Sequence, residues 1–535
     1  MTDCGRARRS LVTRLLGGLT LLALLFPLTV AASELTPEQQ RGKEIYFGGS
    51  SPSGDPITAY FGKEGLELPG RAATCGSCHG HDGKGRPESG VMPSNITWSQ
   101  LSKSYGHLHP DGLDHPPFDE RSLRDFIRTG IYPGGQKGDP SMPSYKISDR
   151  DFDDLLAYMK LLGTILDPGL SEAAIRIGTL VPSNGPLGEI GRALQDVLQA
   201  YFDDVNAAGG IYGRRLELVV HDIPLVEEEA AAGLSAWLAE QVPFALVSPF
   251  TPRMDVEVQS LIASRNIPVI GPFSLYSVRS FSLNRSVFHL YSGLAEQFEA
   301  LLQFADKQLQ LLSPRIAVLH PDEKGLADVL AAIEQAAKKR GWPAVRREPY
   351  SAAAFDAASS VETLRDAGID VVICLGVEPE LRSFLAAAAQ QGWRPWILAA
   401  GALSGGTLSD VPLGFEQRLY LSYPTLPQDR EPWALREFAL LVAGSEAARS
   451  HTQAAISAYS SAVVLVEALR RAGRDLGRRE LTAELERFYQ FETGLTPPIT
   501  FTANRRIGAK GAYILDPASL EQGRLTELAP WVDLN

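Results

Sequence analysis

The chain has 535 residues, of which 51 are Lys or Arg and 63 are Asp or Glu, so its formal net charge is −12 at pH 7. This length is ample for more than one folded unit. The acidic balance argues against nucleic acid and the membrane surface as partners, because both carry negative charge themselves.

The first 32 residues have the pattern of a secretory signal peptide. Arginines between positions 6 and 14 precede an almost wholly apolar run, Leu15 to Val30, and small residues follow at 31–33. An uncleaved membrane anchor is the alternative, but the run is short for a transmembrane span. Cleavage would take the net charge from −12 to about −15. We therefore expect a mature protein with no membrane span.

Cys75-Gly-Ser-Cys78-His79 is the most specific motif in the chain. C-x-x-C-H is the attachment signature of a c-type haem, in which two thiolates add to the porphyrin vinyl groups and the adjacent imidazole binds the iron. A zinc site would need a second ligand pair, and a thioredoxin-like pair would follow a strand, whereas loop residues flank this motif. The motif predicts one covalent haem c, with His79 as an axial ligand. Such haem is attached after export, so the predicted compartment is the periplasm.

Three predicted helices surround the motif. Thr36 caps one that runs to about Phe47, residues 119–129 form a second, and Ser148 caps a third with apolar residues along one face. The order helix, C-x-x-C-H, helix, Met-Pro loop, helix over residues 35–165 resembles a class I cytochrome c. The resemblance implies an all-α monohaem domain that transfers single electrons.

Two Met-Pro pairs compete for the second axial position, Met92-Pro93 and Met142-Pro143. A thioether suits low-spin haem iron and raises its potential relative to bis-histidine ligation. In the family that the chain resembles, the ligand methionine lies just before the last helix, and Met142 has that place. We therefore expect Met142 to be the ligand. Three histidines remain alternative ligands, although their positions near prolines favour exposed loop residues instead: His107, His109 and His115.

Two further cysteines complete the set of four. Cys4 lies in the leader, and Cys374 lies in the apolar run 370–375, which is typical of a buried strand. No structural disulfide is expected in the mature chain, because Cys75 and Cys78 hold the haem. Cys374 is expected to be a small core residue.

The pattern changes after residue 165. Residues 166–174 form a short linker that contains Pro and Gly, and from 175 to 535 apolar strands alternate with amphipathic helices. Continuously apolar strands are typical of parallel sheets that are covered on both faces. The alternation predicts two doubly wound parallel sheets, and hence a two-lobed α/β unit.

Two stretches of this unit carry a second resemblance. Residues 177–186 and 204–214 are similar to the opening of type I periplasmic solute-binding proteins, and residues 493–501 are similar to their closing segment. The branched-chain amino-acid receptors of ABC importers belong to that family. The resemblance covers about residues 174–520. It implies two lobes that close around a solute by hinge motion, at the carboxyl ends of their strands.

The loops that follow the strands are the expected lining of the cleft. In amino-acid receptors of the family, amides and hydroxyls of the second and third loops hold the carboxylate and ammonium of the ligand. Here Pro252 and Leu275 stand where the family commonly carries a hydroxyl, and proline offers neither a hydroxyl nor an N–H. A shift of one residue would restore a hydroxyl at both places, so an amino-acid ligand stays open. The candidate cleft residues are Ser183, Asn184, Thr251, Arg253, Ser274, Tyr276 and Glu378.

No catalytic constellation stands out, so an enzyme is not expected. The expected function is electron transfer by a protein whose second domain recognises a small molecule or a periplasmic redox partner, such as a dehydrogenase or another cytochrome. The alternative is a solute receptor that serves the membrane subunits of an ABC importer or a sensor and carries an accessory haem. An oxidase or peroxidase would need an open iron position, which Met142 should fill.

Overall fold

The computed structural model describes residues 35–62, 64–80, 82–85, 93–109, 112–164, 166–223, 227–250, 256–276, 285–404, 411–517 and 531–534. The predicted signal peptide lies outside these residues. The chain divides into two compact units, Met1–Ile165 and Leu166–Asn535, called unit 1 and unit 2 below.

Five helices form most of unit 1: α1 Pro37–Gly48, α2 Cys75–His79, α3 Trp98–Leu101, α4 Glu120–Thr129 and α5 Asp149–Met159. Thr36 closes a capping box on α1, and the hydroxyl of Ser148 accepts the N–H of Asp151 at the start of α5. Helices α1 and α5 pack against each other, and a Cβ atom at Gly42 would overlap the carbonyl oxygen of Asp154. Glycine is what allows this close approach.

Unit 1 also contains short antiparallel strands in addition to the predicted helices. Strand β1 (Thr58–Phe61) pairs with β2 (Leu66–Pro69) on one side and with β5 (Ser144–Lys146) on the other. The two-residue strands β3 (His107–Leu108) and β4 (Asp114–His115) form a hairpin. Because β5 follows Met142 directly, the small sheet connects the loop of that methionine to the segment that precedes the C-x-x-C-H motif.

The first lobe of unit 2 is built on a six-stranded sheet in the order β16-β10-β9-β8-β6-β7. Its described pairings are all parallel, and helices cover both faces. Its strands are β6 Ala174–Val181, β7 Arg215–Asp222, β8 Ala245–Val247, β9 Val269–Ile270, β10 Val287–Tyr291 and β16 Ile507–Ala509. Its helices are α6 Gly188–Ala207, α7 Glu227–Gln241, α8 Val256–Ser264, α13 Pro432–Leu441, α14 Glu446–Ser450, α15 Thr452–Ala472 and α16 Arg478–Leu485.

The second lobe has a seven-stranded sheet in the order β12-β11-β13-β14-β15-β17-β18. It is parallel from β12 to β15, and the last two strands are antiparallel. Its strands are β11 Ile316–Pro321, β12 Arg346–Tyr350, β13 Val371–Cys374, β14 Trp396–Ala400, β15 Leu419–Tyr423, β17 Gly511–Leu515 and β18 Trp531–Asp533. Its helices are α9 Leu294–Lys307, α10 Ala327–Lys339, α11 Ala357–Asp366 and α12 Glu378–Gln390. The predicted pair of doubly wound sheets is confirmed, and Cys374 is buried in β13 as expected.

Three segments connect the lobes, at 292–293, 424–431 and 510. The first leaves the carboxyl end of β10 and enters α9, and the third leaves the carboxyl end of β16 and enters β17, which is antiparallel to β15. The hydroxyl of Ser292 accepts the N–H of Gly511 at 2.9 Å and so connects two of the segments. All three segments join the carboxyl edge of one sheet to that of the other, so these two edges face each other.

The residues predicted to be a linker, 166–174, pack as part of the first lobe. Leu170 is buried, and the backbone N–H of Arg478 donates to the carboxylate of Asp167 at 2.6 Å. The guanidinium of Arg214 donates to the carbonyl of Ser171 at 3.0 Å. The first lobe therefore includes residues that the sequence assigns to a linker.

One helix among the described residues, Thr452–Ala472, is long and apolar enough to cross a membrane by length and composition. Within the structure 78% of its most apolar window is buried, because it lies between the sheet of the first lobe and helix α6. Burial inside a lobe accounts for its apolar composition.

Candidate functional site

The C-x-x-C-H motif forms the short helix α2, which its neighbours hold in place. The hydroxyl of Tyr46 donates to the carbonyl of Gly80 at 2.8 Å, and that of Tyr145 donates to the carbonyl of Ala73 at 2.9 Å. A Cβ atom at Gly76 would lie 2.6 Å from the ring of Phe47. The end of α1 and strand β5 therefore position the motif from both sides.

His79 is buried, with 6% of its surface exposed. Its Nδ1 lies 2.9 Å from the carbonyl oxygen of Ser94. Since a carbonyl only accepts, Nδ1 carries the proton and Nε2 keeps its lone pair. Burial lowers the pKa of His79, which favours the neutral ring. A neutral imidazole with one nitrogen fixed by a carbonyl is the form in which histidine binds a metal.

An apolar pocket lies beside the motif. Cys75 and Met142 both line it. The N–H of Met142 donates to the carbonyl of Asp139 at 3.0 Å, which fixes the turn before the methionine. The other lining residues are Ile45, Gly49, Ile57, Ala73, Ile127, Tyr145, Ile147 and Leu155.

The residues of unit 1 fit a covalently held haem. The pocket combines an apolar wall with a thiol and a thioether, and the buried imidazole follows in the same motif. Burial raises the pKa of the Cys75 thiol to about 12, so the folded pocket disfavours the reactive thiolate. Attachment before this pocket closes is consistent with that chemistry. Among the described residues no group of three or more His, Cys, Asp or Glu side chains forms a separate metal site.

Met92 and His81, the first histidine after the motif, lie outside the described residues. Of the alternatives to Met142 as the second axial ligand, the structure therefore describes only the three histidines. Those histidines form a stack of rings instead of lying free in an exposed loop. The centroid of His115 lies 4.8 Å from that of His107 and 4.3 Å from that of Tyr132.

The interpretation of His115 as an exposed loop residue is wrong. It is 5% exposed, because Tyr132, Phe118 and two histidine rings surround it. Its Nδ1 lies 2.7 Å from the carbonyl oxygen of Pro116, and Nε2 of His107 lies 3.1 Å from that of Leu101. One nitrogen of each ring is therefore engaged by the backbone. Aromatic packing across the hairpin explains both residues.

In unit 2, the structure brings Ser183 and Asn184 together around a carboxylate that the sequence analysis missed. Asp222 accepts the backbone N–H of Ser183 at 2.8 Å, the hydroxyl of Ser183, and the amide of Asn184 at 3.3 Å. These hydrogen bonds, that from the Ser183 hydroxyl above all, lower the pKa of Asp222. Asp222 is the last residue of β7 and lies beside the end of β6. An acidic residue at the end of a predicted strand is the feature of the sequence that could have pointed to it.

Two further candidate residues also have partners within the protein. The hydroxyl of Ser274 accepts the N–H of Tyr276 at 3.1 Å, so it serves its own turn. The carboxylate of Glu378 pairs with Arg382 one helical turn later, at 2.7 Å. Thr251 and Arg253 lie outside the described residues. Ser183, Asn184, Ser274 and Glu378 therefore form their hydrogen bonds with other groups of the protein.

Comparison with known proteins agrees with this architecture. A family model described as "Periplasmic binding protein" matches residues 174–518, and one described as "Cytochrome c" matches residues 65–163. The second match implies a covalently bound haem c and indicates electron transfer, and the first indicates a solute-binding role. Both families are typically found outside the cytoplasm.

Curated relatives match part of unit 2. The Leu/Ile/Val-binding protein homolog 8 of Brucella suis biovar 1 (strain 1330) is 24% identical over 269 residues, which are 47% of this chain and 65% of that protein. Homolog 7 of Brucella abortus (strain 2308) is 25% identical over 235 residues, 42% of this chain and 58% of that protein. The matches thus span less than two thirds of the length of these relatives.

Among solved structures, a possible leucine/isoleucine/valine-binding protein from Rhodopirellula baltica SH 1 aligns with a TM-score of 0.50 at 17% identity, over 64% of this chain and 93% of that one. This likeness concerns the fold of unit 2. Because the family model matches more than half of its length, the chain belongs to the periplasmic binding protein family. In this chain a cytochrome c domain precedes the two lobes.

Proposed function

We propose that this protein carries single electrons in the periplasm through one haem c, which Cys75 and Cys78 hold covalently and His79 and Met142 ligate. In this proposal the lobes of unit 2 recognise a small molecule or a redox partner. The protein is not an enzyme in this account, and its electrons pass to or from a periplasmic dehydrogenase or another cytochrome.

The observation that carries the proposal is the composition of the pocket in unit 1. Cys75 and Met142 line the same apolar pocket. The carbonyl of Ser94 holds the ring of His79 in the tautomer that leaves Nε2 available. Thioether ligation favours a higher potential than bis-histidine ligation, and the lining of the pocket is apolar. These features support one-electron transfer without an open coordination position.

A reductive titration of the purified full-length protein tests the proposal. We expect one electron per chain, a low-spin spectrum in both redox states, and haem that resists extraction by acidic acetone. The double variant Cys75→Ser/Cys78→Ser should lose the covalent haem. The matched control is Cys374→Ser, whose buried thiol lies in unit 2, and it should leave the haem content unchanged. Extractable haem in the unmodified protein would contradict the proposal.

A receptor for an ABC importer or a sensor, with an accessory haem, is the second candidate function. The names of the curated relatives and the two lobes joined by three segments favour it. Cells that lack the protein distinguish the two candidates. Loss of electron flow to the periplasmic acceptor, with solute uptake intact, supports the electron carrier. Loss of solute uptake with electron flow intact supports the receptor.

A further inference from the structure

Aromatic side chains are concentrated at the two facing edges of the lobes in unit 2. They stand at the carboxyl ends of strands or in the residues that follow them, on β8, β9 and β10 of the first lobe and on β12 and β15 of the second. Six of them are partly exposed, and one is buried beneath a neighbour. The set, called the aromatic edge below, is Phe250, Phe273, Tyr276, Tyr291, Tyr350, Phe355 and Tyr423.

Two pairs of rings in the aromatic edge contact each other, one pair in each lobe. Phe250 and Phe273 meet edge to face with centroids 5.2 Å apart. Tyr350 and Phe355 lie 4.4 Å apart. In the second lobe a Cβ atom at Gly401 would overlap the ring of Tyr423. These contacts hold five of the seven rings against neighbouring groups of the protein.

Several polar groups at the same edges already have hydrogen-bond partners within the protein. Asp222 accepts hydrogen bonds from Ser183 and Asn184, and the hydroxyl of Ser274 is used in its own turn. A zwitterionic amino acid needs hydroxyls and amides that are free to hold its carboxylate and ammonium groups. The described residues of the edges supply ring faces more readily than such groups.

Several buried polar atoms near these edges have no hydrogen-bond partner among the described residues, and Oγ of Ser248, directly after β8 in the first lobe, is one of them. The Oε2 atom of Glu380, in the first turn of α12, and the Nε2 atom of His320, near the end of β11, are buried and have no hydrogen-bond partner among the described residues. A Cβ atom at Gly376 would lie 2.5 Å from the hydroxyl of Tyr350 and 3.1 Å from Cβ of Glu380. The Cβ atom of Glu380 and the hydroxyl of Tyr350, a member of the aromatic edge, therefore both lie close to Gly376.

We propose that the cleft of unit 2 binds an aromatic compound with a hydrogen-bond donor, such as a phenol, an aryl alcohol or an aryl amine. The rings of the aromatic edge stack on the aromatic group, because offset and edge-to-face ring contacts add to the free energy of burying apolar area. The carboxylate of Glu380 accepts the donor, which satisfies an otherwise unpaired buried oxygen. This assignment rests on the proposed solute-binding role of unit 2 and names its ligand class.

Isothermal titration calorimetry of the full-length, haem-loaded protein tests the assignment with three probes: 4-hydroxybenzyl alcohol, benzoate and L-leucine. We expect 4-hydroxybenzyl alcohol to bind most tightly. The variants Tyr350→Leu and Phe273→Leu should each weaken its binding about two- to tenfold, from the loss of one ring contact. Tyr350→Phe keeps the ring and should weaken binding less than Tyr350→Leu.

Tyr489→Leu is the matched control, since Tyr489 is 80% exposed and lies outside the aromatic edge. It should leave the affinity unchanged, and circular dichroism should show that every variant is folded. Tighter binding of L-leucine or benzoate than of 4-hydroxybenzyl alcohol overturns the ligand class but leaves a solute-binding role intact. Binding that Tyr350→Leu and Phe273→Leu do not weaken overturns the location. Absence of binding by all three probes overturns the inference. The reductive titration tests the electron-transfer role independently of this result.

Discussion

Gly42 sets the distance between the first and last helices of unit 1. Side-chain atoms at this position would overlap the backbone of α5 at Asp154, and Arg41 beside it forms an ion pair with the same Asp154 at 2.7 Å. The carboxylate of Asp154 is largely buried, so the pairing depends on the two helices staying close. Gly42 therefore allows the close packing of the two helices that line the apolar pocket of unit 1.

Gly42→Ala should destabilise unit 1 by about 1–3 kcal/mol, because the added methyl group forces the helices apart. Gly48→Ala is the control within the same helix, since a Cβ atom there would meet only the hydroxyl of Ser50, at 3.3 Å. Denaturant unfolding followed by haem absorbance measures both. Equal stability of the two variants would show that the helix crossing tolerates a side chain.

The sequence predicts that His79 is a ligand but not which of its ring nitrogens carries the proton. The C-x-x-C-H motif predicts that His79 is an iron ligand, because the residues that attach and ligate the haem lie within five consecutive positions. The partner of its Nδ1, Ser94, lies 15 residues away in an irregular segment, and no local pattern marks it. The same reason explains why Asp222 was missed, since its partner Ser183 is 39 residues distant.

At the scale of elements, the hairpin of β3 and β4 places histidine rings face to face. Burial lowers the pKa of both His107 and His115. At His107 the nearby Lys103 and His109 add to this effect and the carbonyl of Leu101 opposes it. At His115 the two other histidines add to it and the carbonyl of Pro116 opposes it. The carboxylate of Asp114 also opposes it at His115. The folded hairpin therefore binds protons less readily than the unfolded chain.

The stability of unit 1 should accordingly fall as the pH is lowered through about 6.5, the ordinary pKa of histidine, and should level off below the pKa of the folded state. His115→Phe keeps a ring in the stack but cannot be protonated, so it should flatten this dependence. His451→Gln, in unit 2, is the control and should not. Denaturant unfolding between pH 5 and pH 8, followed by haem absorbance, measures the slopes. The same slope in His115→Phe and the unmodified protein would rule out this source of the pH dependence.

The segment 166–174 is a second element whose role depends on distant residues. Its sequence contains Pro and Gly and predicts a linker, yet the structure packs it against the first lobe. Arg478 donates a hydrogen bond to Asp167, and a Cβ atom at Gly169 would collide with the backbone of Phe244. The contacts come from residues more than 70 positions away, and composition carries no sign of them.

A fragment that begins at Leu166 should be more stable than one that begins at Glu172. The shorter fragment loses the buried side chain of Leu170 and the hydrogen bonds of Asp167 and Ser171, which we expect to cost on the order of 3 kcal/mol. Urea unfolding followed by circular dichroism compares the two. Equal midpoints would show that the segment contributes nothing and that the predicted linker boundaries hold.

For the whole molecule, the alternation of apolar strands and amphipathic helices predicted the two sheets of unit 2, because parallel strands buried on both faces leave a strong pattern. The small sheet of unit 1 was not predicted. Strand β1 pairs with β5 across more than 80 residues, and each strand has only three or four residues, too few for a periodic pattern. The ligand class of the cleft was also not predictable, because its walls are assembled from the ends of five strands.

The proposed electron transfer depends on Met142 as the second axial ligand of the haem, beside His79. Its test is the spectrum of the oxidised full-length protein near the long-wavelength methionine–iron charge-transfer band, with carbon monoxide added to the reduced protein. We expect the band in the unmodified protein and in the control Met159→Leu, a buried methionine of the same unit. Met142→Ala should lose the band and bind carbon monoxide. Loss of the band in Met92→Ala, with Met142→Ala unaffected, would show that Met142 is not the ligand.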